Sequence, residues 1–380
     1  MTAMRETVIG IIGCGVISEA YLKGAARSAL LRVKAVADQR HEAAEARAAQ
    51  FGCAAVSVEA LLADPEIEIV LNLTIPAAHA PLDLRILEAG KHVYSEKPLV
   101  AKFDEAHSVL LAARARGLRI GCAPDTFLGA GHQACRRAID EGRIGRPLGG
   151  AVTFASRGME RWHPNPEFFF KPGGGPLLDI GPYYVTQLVN LLGPVERVSA
   201  VATRGYPQRV IGSEPLKGGV IEVEVPTTVN GAILFASGAN VSLTGTWDVW
   251  KTRRLPIEIY GTEGSLLNPD PNFFGGAPML TAEDAEWEPL PIEAHPYGAP
   301  NRLNRAGLEV ADYRIIGLLD MAASLQAERP HRASGELALH VQEVLDALER
   351  SATEGRHVAV ESRCARPDAL PLGVGEEVFA

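Results

Sequence analysis

Short apolar runs alternate with amphipathic stretches through the first third of the chain. Val8–Ile12, Val33–Asp38, Glu68–Leu73, Lys91–Tyr94 and Arg119–Cys122 read as strands, the third of them almost unbroken Ile, Val and Leu. Between them Ile17–Ala29, His41–Phe51, Ala78–Ala89 and Phe103–Arg116 carry helical spacing, with a short strand at Ala54–Val56 and a short helix at Val58–Ala63. Strands that lack polar alternation are buried on both faces, and helices between them imply a parallel, doubly wound sheet. After one more helix, Ala130–Asp140, the period changes. Ala151–Ser156, Val195–Thr203, Val229–Phe235 and Asn240–Trp247 alternate apolar and polar residues. Ile257–Tyr260 and Ser265–Leu267 flank the turn Gly261-Thr262-Glu263-Gly264. Such strands build an antiparallel sheet with one face open. Helices return at Tyr184–Leu192, Tyr313–Gln326 and Glu336–Ala352, while Asn268–Pro300 reads as loops and short edge strands. The expected architecture is α/β in residues 1–124 and α+β, with an open, largely antiparallel sheet, in residues 125–380.

The length of 380 residues accommodates these two domains. A net charge of −9 disfavours nucleic acid and anionic membranes as partners. Arg114, Arg116 and Arg119 form a basic cluster, which reads as the solvated end of a helix. The five cysteines are odd in number and lack metal-ligand spacing, so neither a disulfide framework nor a metal site is expected. They fit a reducing, cytoplasmic setting. Val8–Ile17 is too short to span a bilayer, and Glu6 spoils the basic start a signal peptide needs.

Gly13-Cys14-Gly15-Val16-Ile17-Ser18 follows the first strand and opens the first helix. This is the dinucleotide fingerprint of a Rossmann βαβ unit, with serine in the third glycine position. Gly13 permits the turn, Gly15 lets backbone approach a pyrophosphate, and the helix amino terminus faces the negative charge. Asp38-Gln39-Arg40 ends the second strand. The Asp38 carboxylate suits the ribose hydroxyls of NAD, while Arg40 leaves NADP open. Thr74, Pro76 and His79 follow the strand at Glu68–Leu73, at the sheet edge where a nicotinamide ribose would lie. His79 has a second reading, as packing for the first turn of its helix.

Tyr94-Ser95-Glu96-Lys97-Pro98 ends the fifth strand at the same edge. Glu96 and Lys97 are therefore expected beside the cofactor. Burial would draw the Lys97 pKa toward neutrality and let it shuttle a substrate hydroxyl proton. The run Gly173-Gly174-Gly175-Pro176-Leu177-Leu178-Asp179-Ile180-Gly181-Pro182-Tyr183 offers backbone that can approach a ligand. It also places Asp179 and Tyr183 four residues apart, on one helix face. That helix starts near Asp179 or kinks at Pro182. Asp125, Trp162 and His163 are further candidates for the substrate wall. Trp247 and Trp250 read as packing for the sheet or an interface. Arg314 and Asp320 read as a surface ion pair on a late helix, within possible reach of the pocket.

The ordered trio of glycine turn, Glu96-Lys97-Pro98 and GGGxxxDxGxY segment resembles the glucose–fructose oxidoreductase/inositol dehydrogenase/MocA (Gfo/Idh/MocA) family over nearly the whole chain. The resemblance implies a nicotinamide cofactor and a sugar, polyol or related substrate. It further implies Lys97 as the proton-transfer residue, Asp179 beside it, and dimers or tetramers through the C-terminal sheet. Many members carry histidine where this chain has Tyr183. Tyrosine there resembles glucose–fructose oxidoreductase and dimeric dihydrodiol dehydrogenase, which argues against inositol. Reduction of a keto-sugar, and a non-catalytic NAD(P)- and sugar-binding regulator, are the competing readings.

Overall fold

The computed structural model describes residues 4–283, 285–304, 307–373 and 375–379. β1 (Thr7–Ile12), α1 (Ser18–Ala25), β2 (Leu31–Ala37), α2 (His41–Phe51), β3 (Ala54–Ala55), α3 (Val58–Ala63), β4 (Ile69–Asn72), α4 (Pro76–Glu88), β5 (His92–Ser95), α5 (Phe103–Ala115) and β6 (Ile120–Cys122) alternate along the chain. The strands pair in parallel in the order β3-β2-β1-β4-β5-β6. The two-residue period of a strand sends Ile69 and Leu71 into the core on one side of the sheet and Val70 into the core on the other. Strand order reverses between β1 and β4, so the loops after their carboxyl ends part there and leave a crevice.

The remainder continues with α6 (Ala130–Asp140), β7 (Pro147–Ala155), α7 (Pro176–Leu192), β8 (Val195–Thr203), β9 (Gln208–Val210), β10 (Val220–Glu222), β11 (Thr228–Phe235) and β12 (Asn240–Thr246). There follow β13 (Ile257–Gly261), β14 (Gly264–Asn268), β15 (Met279–Ala282), β16 (Glu288–Pro289), β17 (Arg302–Leu303), β18 (Glu309–Val310), α8 (Ile316–Gln326), α9 (Gly335–Glu354) and β19 (Val358–Ala359). Nine strands make one sheet, β16-β15-β14-β13-β7-β12-β11-β8-β19. Only the β7–β12 pair in it is parallel. Along β12, Val241 and Leu243 are buried and Asn240 and Ser242 exposed, the alternation read in the sequence. α7 and α9 cover one face; the other is open. Trp247 is buried against Phe169 and Phe170, whereas Trp250 is exposed.

α7 departs from expectation. It begins at Pro176 and runs through Pro182. Pro176 sits in the first turn, where a missing N–H is harmless. Pro182 does cost a hydrogen bond, about 3 kcal/mol in an isolated helix. Packing supplies the compensation: both helix termini lie in the core, and a Cβ on Gly181 would come within 2.7 Å of Leu345 on α9. α8 starts later than read, at Ile316, because Ile315 has φ +135°.

Candidate active site

Gly13 has φ +105°, and a Cβ there would lie 2.6 Å from the Leu73 carbonyl, so only glycine fits. Gly15 differs: a Cβ there would meet nothing within 4 Å, and the neighbouring Val16 is 90% exposed. The turn therefore presents open backbone at the end of β1, the cradle a pyrophosphate requires. Ser18 is buried and its hydroxyl donates to the Gly15 carbonyl at 2.6 Å, closing the turn onto α1 just after Ile17. Asp38 is held in place by Cys14 N–H on one carboxylate oxygen (2.8 Å) and Arg40 N–H on the other (2.9 Å). Each oxygen keeps a second lone pair for a ribose hydroxyl. Gln39 and Arg40 are exposed beside it. This donor and acceptor set fits NAD.

Below the crevice a buried network ties β4 to β5. Thr74 donates through N–H (3.2 Å) and hydroxyl (2.6 Å) to Asn72 Oδ1. Asn72 Nδ2 and the Ser95 hydroxyl donate to Asp83 at 2.8 and 2.9 Å. Burial pushes the Asp83 carboxyl up to about 7, against the pull of those two hydrogen bonds. Thr74 and Pro76 line the cavity that Lys97 also borders. His79 does not reach it. Its ring is fully buried between the Pro98 carbonyl (2.7 Å) and the Thr74 carbonyl (3.2 Å), so it braces two loops and takes the packing role. The Glu96 carboxylate is likewise turned inward, accepting from Tyr21 OH and from Lys97 N–H, both at 2.9 Å.

Lys97, next to the cis peptide at Pro98, extends to α7. Its ammonium donates to Asp179 Oδ1 at 2.9 Å and to the Asp179 carbonyl at 2.7 Å. Asp179 and Tyr183 do share one helix face, and Lys97 Nζ lies 5.3 Å from the Tyr183 ring centroid. The expected direction of the Lys97 pKa is reversed. Burial alone would lower it, but the Asp179 charge, Tyr183 and the hydrogen bond together hold it above the ordinary lysine range. Lys97 rests as an ammonium ion.

Arg314 joins this cluster from the loop before α8. Its Nη1 donates to the Tyr183 hydroxyl at 3.2 Å, and its guanidinium carbon lies 5.7 Å from that ring's centroid. Burial opposes its charge, but Tyr183, Glu96 and Asp312 outweigh burial and keep it protonated. Its expected partner Asp320 is elsewhere: fully buried and bound to Arg329 and Arg332. No local pattern marks Arg314 as a partner of Tyr183: it lies in an irregular segment, and its nearest carboxylate in sequence, Asp312, is 3.7 Å from it.

Asp125 does not face substrate through its bonded oxygen. Asp125 Oδ2 accepts from Ile315 N–H (3.1 Å) and Gly317 N–H (2.9 Å), capping α8 and fixing the loop that carries Arg314. Trp162 and His163 form an aromatic cluster with Phe168 and Phe169, and His163 Nδ1 lies 2.8 Å from the Asn165 carbonyl. Phe168 carries that cluster to the cavity wall. The glycine run also serves its own chain. A Cβ on Gly174 would lie 2.4 Å from the Phe169 carbonyl, so the close approach there is to protein rather than ligand.

Lys97 borders a cavity of about 710 Å³, with Thr74 and Pro76 on one wall and Leu178 and Pro182 on another. Successive helix positions are 100° apart, so α7 turns Leu178 and Pro182 to this space and Asp179 and Tyr183 to Lys97. Among the described residues no group of three or more His, Cys, Asp and Glu side chains is arranged to hold a metal ion, and no helix is long and apolar enough to cross a membrane.

Residues 7–123 match the oxidoreductase family with an NAD-binding Rossmann fold, and residues 132–267 match the GFO/IDH/MocA C-terminal domain. The 1,5-anhydro-D-fructose reductase of Ensifer adhaerens is 30% identical over 293 residues, 75% of this chain and 82% of that protein. The dTDP-3,4-didehydro-2,6-dideoxy-alpha-D-glucose 3-reductase of Streptomyces violaceoruber is 33% identical over 270 residues, 69% and 72% of the two chains. Among solved structures, levoglucosan dehydrogenase in complex with NADH and levoglucosan superposes with a TM-score of 0.80 at 25% identity, covering 93% of this chain and 99% of that one.

Proposed function

The chain belongs to the Gfo/Idh/MocA family of NAD-binding oxidoreductases, and from that premise we propose that Lys97, Asp179 and Tyr183 serve hydride transfer to or from a sugar, polyol or related hydroxylated substrate. The observation that carries this is the Lys97–Asp179 pair at the carboxyl edge of the sheet, with the Tyr183 ring beside it. The Gly13–Ser18 turn and Asp38 would hold the pyrophosphate and ribose of a nicotinamide dinucleotide, which would supply or accept the hydride. Lys97 handles the proton at the substrate oxygen. Asp179 orients Lys97 and a substrate hydroxyl, and Tyr183, held by Arg314, assists at that oxygen. Leu178, Pro182 and Phe168 give the cavity an apolar side. Asp38 supports NAD, and Arg40 leaves NADP in use as an alternative.

Reduction of a keto-sugar is the alternative reading of the same site. The Lys97–Asp179 pair serves either direction: the ammonium donates to a carbonyl oxygen and the amine takes the proton back from a hydroxyl. We further take residues 1–124 as the nucleotide domain and residues 125–380 as the substrate and oligomer domain. The open face of the nine-stranded sheet, with Val201 and Tyr260 exposed, supports a homodimer or homotetramer. Five cysteines without a disulfide support a cytoplasmic location.

Nicotinamide absorbance is the test. NAD⁺ and NADP⁺ are offered with aldoses, polyols and inositols, and NADH and NADPH with keto-sugars. Turnover with at least one of these pairs is expected. Nucleotide binding without turnover on any of these would overturn the catalytic reading in favour of a regulator.

A further inference from the structure

A second cavity, also about 710 Å³, opens at the amino-terminal end of β6, between α5, the segment leading into α9 and the chain after β19. It shares no lining residue with the cavity beside Lys97. Arg114, Arg119, Arg329, Arg332, Arg363 and Arg366 line it, in a chain of net charge −9. Glu328, Glu336 and Asp368 are the carboxylates in its wall. Arg119, read from sequence as part of a solvated helix end, is half-buried here.

The cations exceed their partners. Arg329 and Arg332 share a single buried carboxylate, Asp320. Arg114 pairs with Glu336 at 3.2 Å and Arg366 with Asp140 at 2.6 Å. Arg119 and Arg363 make no ion pair among the described residues. Arg119 Nη1 donates to the Arg329 carbonyl at 2.6 Å, and Arg363 Nη1 to the Val360 and Ser362 carbonyls at 2.6 and 2.9 Å. Arg366 Nη2 is buried and has no hydrogen-bond partner. The surplus positive charge is felt nearby. Burial and then the Arg329 charge lower the Arg119 pKa, and burial and then Arg119 hold the His92 imidazole at about 4. The amino terminus of α9, a 20-residue helix, adds Ser334, Gly335 and Glu336 to the wall and directs the positive end of its dipole there.

We propose that this crevice binds a small phosphorylated anion carrying at least two negative charges. Guanidinium forks match phosphate oxygens in pairs. The volume suits a metabolite rather than a macromolecule. Arg119 and Arg363 supply the charge that no carboxylate neutralises. The site is independent of the hydride-transfer reading.

The test is calorimetric titration of inorganic pyrophosphate into the full-length protein already saturated with NADH, so that the glycine turn is filled. One binding event per chain is expected. It should weaken by about tenfold or more in the Arg119→Gln/Arg363→Gln double variant, with NADH affinity unchanged. If the double variant melts below the parent, Arg363→Gln alone, at an exposed position, must still weaken binding. No binding by the parent, or an affinity that neither variant changes, overturns the proposal.

Discussion

Tyr183 on α7 and Arg314 before α8 meet across 131 residues of chain, the guanidinium donating to the phenol oxygen at 3.2 Å. Lys97 flanks the same ring, so one tyrosine is held between two cations. The phenol oxygen is oriented by Arg314 and left with one lone pair and its proton for substrate. Arg314→Met and Tyr183→Phe should each lower kcat/KM by about 10–100-fold, and the double variant should be little worse than the poorer single one, because the residues act as a unit. Steady-state kinetics of the four proteins check this. Additive losses would show that Arg314 acts apart from Tyr183.

Lys97→Met removes the proton donor and leaves the nucleotide turn untouched. Turnover should fall by about 10²–10⁴-fold. NADH affinity, measured by fluorescence titration, should stay close to that of the parent. Retained turnover would exclude Lys97 as the proton-transfer group.

The two glycines of the turn should separate folding from binding. Gly13→Ala places a Cβ 2.6 Å from the Leu73 carbonyl at φ +105°, so it should lower thermal stability by about 1–3 kcal/mol and abolish NADH binding. Gly15→Ala meets nothing within 4 Å in the free protein. It should leave the melting temperature unchanged and still abolish NADH binding, because the added methyl occupies the pyrophosphate's space.

Asp83 should give the protein a pH dependence. Its folded-state pKa of about 7 lies above the ordinary carboxyl range, so the folded state holds the proton more tightly than the unfolded chain. The contribution to stability is complete below that ordinary range and is lost as pH rises through about 7. Asp83→Asn cannot ionise. Between about pH 5 and pH 8 its thermal midpoint should fall less than the parent's. Parallel curves for the two proteins would show that Asp83 does not titrate in this window.

Much of the site was legible because its signals are local. The glycine turn, Asp38 and the Glu96-Lys97-Pro98 corner are each fixed by one βαβ unit and its strand ends. The i and i+4 spacing brought Asp179 and Tyr183 together once α7 formed. What the sequence left open were residues whose partners are set by other segments of the chain. Asp125 reads as a candidate for the substrate wall at the end of β6, yet one of its carboxylate oxygens accepts from backbone N–H groups 190 and 192 residues later. His79 carries two readings at its helix start, and the two loop carbonyls that enclose it fit the packing one.

Sequence by itself determined the order and kind of elements, the parallel and antiparallel sheets, and the identity of the nucleotide turn. Those follow from side-chain period and from backbone conformations open only to glycine. Tertiary structure decided the rest. It carried α7 through Pro182 by packing it on α9, and it brought Arg314 to Tyr183. It also set the direction of the Lys97 pKa, because desolvation alone would have pulled it down, and Asp179 and Tyr183, brought beside it by α7, reverse the sign.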